Sequence, residues 1–163
     1  MPRGRLISVC IASYKNEKGL YKLLNELACL VVPPDHRLLV NVVINELSIS
    51  PEYNAIINEF NSIDIKFETE PMKGIPFVRN RLVKMSFGSD YLVFIDDDEY
   101  PEKDWLLELI STTRQSNVDI VQGFVLPKFP SGVPEWAIES KIFSGPHYKD
   151  GEQLSTFYTN NVL

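Results

Sequence analysis

Positive charge, cysteine, histidine and long apolar runs are all scarce in this chain. Its 163 residues carry 16 Lys and Arg against 22 Asp and Glu, a formal net charge of −6. A nucleic-acid backbone needs a basic footprint, so no nucleic-acid partner is expected. The two cysteines, Cys10 and Cys29, fall in an apolar strand pattern and on an apolar helix face. They read as small buried hydrophobes in a reducing compartment, not as a disulfide or a metal site. Two histidines are too few for a zinc cluster. No apolar run is long enough to span a bilayer, and the opening Met1-Pro2-Arg3-Gly4-Arg5 holds no signal-peptide core. A cytoplasmic location is therefore expected, with no transmembrane segment. Two common phosphate-binding devices are also missing: there is no G-x-x-x-x-G-K-[ST] loop and no G-x-G-x-x-G after the first strand. No repeat or linker divides the chain, and its length suits one domain with a sizeable core.

What is present alternates between two periods. Apolar, β-branched runs at Leu6 to Ala12, Leu38 to Ile44, Ile63 to Glu70, Tyr91 to Ile95 and Val118 to Leu126 read as strands. Between them lie helical faces. Leu20, Leu23, Leu24, Leu27 and Ala28 mark the first, and Ile56, Ile57 and Phe60 the second, behind a Ser50-Pro51 start signal. Phe77, Val78, Leu82, Val83 and Met85 mark the third, and Trp105, Leu106, Leu109 and Ile110 the fourth. The predicted order is β-α-β-α-β-α-β-α-β. That order implies right-handed crossovers and an α/β domain, a mostly parallel sheet with helices on both faces. The α/β core is predicted over residues 1–126. Residues 127–163 are predicted as a long irregular region, punctuated by proline and glycine and carrying Trp136, Phe143, Tyr148, Phe157 and Tyr158.

The most informative stretch is Tyr91-Leu92-Val93-Phe94-Ile95-Asp96-Asp97-Asp98-Glu99. Five apolar residues without alternation read as a strand covered on both faces. Four carboxylates follow at its carboxyl end, where open α/β sheets bind ligands. Four adjacent acids repel one another unless a cation neutralises them. Strand alternation is predicted to place Asp96 and Asp98 on one side and Asp97 on the other. Two carboxylates on one side suit a hard divalent ion that takes its other ligands from water and substrate phosphates. The polar segments Ser13 to Glu17 and Asn45-Glu46 are predicted to converge on the same rim, making a nucleotide-binding crevice. Arg79, Asn80 and Arg81 lie in the early turns of the third helix, a place that suits an anionic ligand.

Several motifs together carry a family resemblance. They are Ile11-Ala12-Ser13-Tyr14 with Glu17; Lys73-Gly74 through Arg79-Asn80-Arg81; Phe94 to Glu99 with Pro101 and Trp105-Leu106; Val121-Gln122-Gly123 with Pro127; Pro134-Glu135-Trp136; and Thr159-Asn160-Asn161-Val162-Leu163. In that order and spacing the chain resembles the family 2 glycosyltransferases of the GT-A fold, of the bacterial type that builds succinoglycan and other exopolysaccharides. The resemblance implies transfer of a sugar, with inversion, from a nucleotide-diphosphate sugar to an acceptor hydroxyl on a saccharide or lipid-linked acceptor. A UDP-sugar is the expected donor and Mg²⁺ or Mn²⁺ the expected cofactor. It implies Asp98 and Asp96 as metal ligands, and Ser13, Tyr14, Glu17, Asn45, Arg79, Asp96 and Asp97 at the donor. Trp136, Asn160 and Asn161 fall on the acceptor or sugar side, while Trp105 is expected to anchor its helix in the core. A peripheral position at the inner face of the membrane fits the same family.

Two departures stand out. Asn45, followed by Glu46, occupies the position where the family usually has a base-reading aspartate. The family's general base lies downstream of the Asn-Val-Leu segment, so no base is assigned within these 163 residues and a C-terminally truncated, donor-binding piece is expected. Three alternatives use the same features: a catalytically incomplete nucleotide-sugar-binding fragment, a nucleotidyltransferase and a phosphoryl-transfer domain. The second ordinarily wants a glycine- and lysine/arginine-rich loop after the first strand. The third needs a nucleophilic aspartate on that strand, which offers only Ser8, Cys10 and Ser13.

Overall fold

The computed structural model describes residues 4–60, 63–140, 142, 144–145 and 148–163. The opening Met1-Pro2-Arg3, with Phe143 and Pro146 of the irregular region, lie outside them. Four parallel strands form an open sheet in the order β3-β2-β1-β4. They are β1 (Arg5–Ser13), β2 (His36–Ile44), β3 (Ile65–Thr69) and β4 (Tyr91–Asp96). The helices are α1 (Glu17–Ala28), α2 (Pro51–Glu59), α3 (Ile75–Met85), α4 (Trp105–Ser116) and the short α5 (Glu135–Glu139). The β1–β2 pair runs in continuous register from Arg5↔His36 to Ser13↔Ile44, and β1–β4 from Ile7↔Tyr91 to Ala12↔Asp96.

Central parallel strands are buried on both faces, which is why the middles of β1 and β2 are apolar but for the buried Ser8 and Asn41. Their side chains divide between two cores. On one face Ile7, Val9, Ile11, Val40, Val42, Ile44, Val93 and Ile95 meet α1, α2 and α4. Leu20, Leu23, Leu24 and Leu27 of α1 are buried there, each contributing about 2 kcal/mol of hydrophobic stabilisation. On the other face Cys10 and Val43 meet Val78 and Leu82 of α3. Helices thus lie on both faces, as the alternating pattern predicts. Ser50 caps α2 by accepting the Tyr53 backbone N–H, with Pro51 at the first turn.

Four expectations are corrected. Residues 118–126 do not form the fifth strand of the parallel sheet. The free edge of β4 is taken by Val162, which exchanges backbone hydrogen bonds with Phe94 at 2.8 and 3.2 Å. Val121 and Gly123 pair antiparallel with Leu163 and Asn161 on the far side of that segment, so they sit one position further out. Cys29 is exposed, because it falls at the C-cap of α1 just past the buried stripe. Phe77 and Val83 are exposed on α3, since Val78 and Leu82, with Met85 packed beside them, form its sheet-facing side. In α2 the fully buried residue is Tyr53, with Ile56 beside it.

Candidate functional site

Strand order places the topological switch point between β1 and β4. From β1 the chain crosses to β2 on one side, and β4 lies on the other. Ligands of open α/β sheets bind outside the carboxyl ends at that point. There the loop after β1 meets the acidic segment after β4.

The contact is a set of short hydrogen bonds converging on Asp97. Its Oδ2 accepts from Ser13 Oγ at 2.6 Å and its Oδ1 from Asn16 Nδ2 at 2.9 Å. The Tyr14 backbone N–H also donates to this carboxylate. Ser13 has one hydroxyl proton, and Asp97 takes it. The 2.9 Å contact between Ser13 Oγ and Tyr53 Oη therefore has Tyr53 as donor. Tyr53 Oη in turn accepts the Asn16 backbone N–H at 3.2 Å. A polar chain thus runs from the Asn16 N–H through Tyr53 and Ser13 to Asp97. Asn16 also caps α1, accepting the Gly19 N–H at 3.2 Å. A Cβ on Gly19 would lie 2.5 Å from the Asp97 carbonyl oxygen, so only glycine lets α1 approach this closely.

Alternation does not continue past Asp96. The Glu99 backbone N–H donates to the Asp96 carbonyl at 3.1 Å, closing a turn. The three aspartates therefore diverge. Asp97 faces β1. Asp98 is exposed, and no hydrogen bond or ion pair engages its carboxylate among the described residues. Asp96 Oδ1 lies 3.6 Å from Arg79 Nη2. Arg79 also hydrogen-bonds Thr159 Oγ1 and sits over the Phe94 ring. Burial raises the pKa of Asp96, with the charges of Asp98 and Asp97 adding to it and Arg79 opposing. Burial also raises Asp97 and Glu99 despite the hydrogen bonds each accepts. Partly desolvated carboxylates that crowd one another favour an added cation.

Among the described residues no three His, Cys, Asp or Glu side chains form a ready-made metal cage. Hard oxygen ligands, one free carboxylate on Asp98 and a half-exposed one on Asp96 fit a divalent ion that completes its shell with phosphates and water.

The remaining predicted residues are placed as follows. Tyr14 is exposed at the rim, under the Lys15 ammonium, and Glu17 opens α1. Asn45 uses its amide elsewhere than on an open rim. Its Nδ2 donates to the carbonyls of Glu70 and Met72, both at 2.8 Å, and its Oδ1 accepts the Gly74 N–H at 2.9 Å. It thereby pins the loop into α3. Trp136 is exposed on α5. Asn160 Nδ2 donates to Glu99 Oε1 at 2.8 Å, and Asn161 accepts from Trp105 Nε1 at 2.6 Å. Trp105 is buried, as a core anchor should be. Asn16, Tyr53 and Gly19 escaped the sequence reading. Asn16 and Gly19 have a local signal, an N-cap asparagine with a glycine three residues on. A cleft of about 460 Å³ beside α3, lined by Glu68, Glu70, Phe77 and Lys84 among others, includes no residue of the acidic turn or the β1 loop.

No helix among the described residues is long and apolar enough to cross a membrane. The family model for glycosyl transferase family 2 matches residues 8–161. The chain is 32% identical, over its whole length, to the succinoglycan biosynthesis protein ExoM of Rhizobium meliloti (strain 1021), and spans 53% of that protein. Its fold is shared with S. aureus TarS 1-349 in complex with UDP-GlcNAc, at a TM-score of 0.66 and 24% identity, covering 79% of this chain and 37% of that one. The mannosyltransferase PcManGT from Pyrobaculum calidifontis, in complex with GDP-Man and Mn²⁺, aligns at a TM-score of 0.60 and 14% identity, covering 77% and 36%. With a family match across nearly all of its length and a GT-A-like sheet beneath it, the chain belongs to glycosyltransferase family 2.

Proposed function

We propose that this chain binds the donor for an inverting sugar transfer in surface or exopolysaccharide synthesis, and that the donor is a UDP-sugar held with Mg²⁺ or Mn²⁺. The acceptor is a saccharide or lipid-linked hydroxyl. One observation carries the donor site: Asp98 is exposed at the switch point with no partner for its carboxylate among the described residues, while its neighbours Asp97 and Glu99 are hydrogen-bonded into the frame. TarS, in complex with UDP-GlcNAc, supports the choice of nucleotide.

In this scheme Asp98 and Asp96 hold the cation, which supplies charge neutralisation for the departing diphosphate. Tyr14 and Glu17 border the base and ribose. Arg79 holds Asp96 from the α3 side and offers a second positive charge near the phosphates. Asn45 fixes the rim through the loop into α3, so base recognition falls to groups other than its amide. Ser13 and Asp97 shape the crevice by bonding each other.

Thermal melting with UDP, GDP, CDP and dTDP, each with and without Mn²⁺, tests this. A ligand at 100 times its Kd adds about 2.7 kcal/mol of stability. A melting shift with UDP that needs the metal is expected. Asp98→Asn is expected to abolish that shift while changing the ligand-free stability by no more than about 0.5 kcal/mol, as for other exposed positions. Metal-independent nucleotide binding, or unchanged affinity in Asp98→Asn, would remove the metal assignment.

A further inference from the structure

The outer edge of β4 shows how the acidic turn keeps its shape. The bridge between Phe94 and Val162 sets an antiparallel register along that edge. Two residues further, the same register would set Asp96 opposite Asn160, exchanging backbone hydrogen bonds. The Asp96 N–H instead donates to Glu99 Oε2 at 3.0 Å, and the Asp96 carbonyl accepts the Glu99 N–H at 3.1 Å. Glu99 therefore stands where a strand partner would. Its other oxygen, Oε1, accepts Asn160 Nδ2 at 2.8 Å. The residues around Asn160 are anchored in turn. Asn161 turns the chain at φ 48°, donates to the Phe124 carbonyl at 2.8 Å and accepts from Trp105 Nε1. Gly123 makes room for this amide, because a Cβ there would lie 2.5 Å from Asn161 Nδ2.

We propose that Glu99 is a positioning residue, inserted into the β4 edge ladder between Asp96 and Asn160, and that Asn160 aims it so that Asp96 and Asp98 are presented to the donor-bound cation. Both oxygens of Glu99 are engaged in the frame. Asn160, placed at first on the acceptor side, acts here through Glu99. The proposal deepens the donor reading above and rests on it for its metal arm.

Two isosteric substitutions test it. Asn160→Asp sets a second carboxylate against Glu99 and removes the donor. Glu99→Gln keeps an acceptor for the Asp96 N–H, and the Asn160 amide can turn its oxygen toward the new NH₂, so this variant keeps the frame in neutral form. The double variant Glu99→Gln/Asn160→Asp restores both bonds with the outer one reversed, since the Gln amide donates to the new carboxylate. Mn²⁺ affinity in the presence of UDP, read from the electron paramagnetic resonance of free Mn²⁺, is expected to fall about tenfold in Asn160→Asp, to change by less than about threefold in Glu99→Gln and to recover in the double variant. A Glu99→Gln variant or a double variant as weak as Asn160→Asp would make Glu99 a ligand and overturn the proposal, because an amide does not replace a ligating carboxylate. The second readout needs no ligand. Exchange of the Asp96 amide proton is expected to accelerate about tenfold in Asn160→Asp and to slow again in the double variant. Unchanged exchange in Asn160→Asp overturns the proposal even where Mn²⁺ binding changes. If the unsubstituted chain binds no Mn²⁺ with UDP, the donor reading fails, and amide exchange alone decides the role of Glu99.

Discussion

The two flanks of the acidic turn are built differently. The inner flank, toward β1, is buried: Ser13 and Tyr53 are sealed from solvent, and Asp97 accepts from two side chains and one backbone N–H. The outer flank, along β4, is a single carboxylate pinned between one backbone amide and one side-chain amide from the irregular region. Asp98 lies between them, exposed. The inner flank joins β1, α1, α2 and β4, so it serves folding as well as shape. The outer flank reaches β4 through one carboxylate and residues 159–161, which Arg79, Trp105 and Phe124 hold in turn, so that carboxylate serves shape more than stability. Neighbouring acids of identical type thus divide between holding the fold and facing solvent, according to what surrounds each.

The largest effect expected from breaking this asymmetry is at Asp97. Asp97→Ala strands the buried Ser13 hydroxyl, an unsatisfied donor that costs about 1–3 kcal/mol, and leaves the half-buried Asn16 amide with only the backbone carbonyl of that position at 3.4 Å. A loss of about 3 kcal/mol in urea denaturation is expected, together with loss of nucleotide binding as the β1 loop detaches. A loss below about 1 kcal/mol would mean that the inner flank does not hold the fold. Gly19→Ala comes next. Its Cβ would press on the Asp97 carbonyl oxygen and on the Asn16 side chain, and overpacking of this kind costs 1–3 kcal/mol. Alanine normally stabilises a helix interior relative to glycine, so a destabilised Gly19→Ala variant, by about 1–2 kcal/mol in the same denaturation experiment, would isolate the close approach from helix propensity.

Periodicity made the strands and first four helices legible because each buries a long face on the same sheet. The frame around the turn was not legible, because its partners are far apart in the chain. Ser13 and Tyr53 are 40 residues apart, Ser13 and Asp97 are 84, and Glu99 and Asn160 are 61. Tyr53 sits at a core position of α2, yet a tyrosine beside Ile56, Ile57 and Phe60 gives no sign that it belongs to a polar chain. Alternation was carried two residues past Asp96, to Asp98, since the turn that ends β4 there is held by the side chain of Glu99. Residues 118–126 have strand composition, but composition cannot tell that Val162 takes the β4 edge first. The acidic motif itself was visible, and so was its place at a strand's carboxyl end. Which acid is free and which is bonded depended on contacts that only the folded chain brings together.

The smallest expected effect is at the third corner of the rim, where Asn45 pins the loop into α3 and charge, not burial of a polar chain, does the holding. Glu70 accepts the Met72 N–H at 3.0 Å and Arg81 Nε at 2.9 Å. These bonds, the backbone one first, hold its carboxyl below the ordinary range for glutamate. A carboxyl whose pKa is lowered by folding stabilises the folded state above its unfolded pKa, about 4.3, and loses that contribution as pH falls through the lower folded value. Glu70→Gln removes the titration. The unsubstituted chain is therefore expected to exceed Glu70→Gln in stability by a constant margin at pH 6–8, with the margin shrinking only below the unfolded value. Urea midpoints for both chains between pH 3 and 8 check this. A margin that instead changes near neutrality, or that grows on acidification, would show that Glu70 is not held by the Met72 amide and Arg81. The rim would then depend on the Asn45 amide alone at that corner, and Asn45→Ala would be expected to exceed Gly19→Ala in cost.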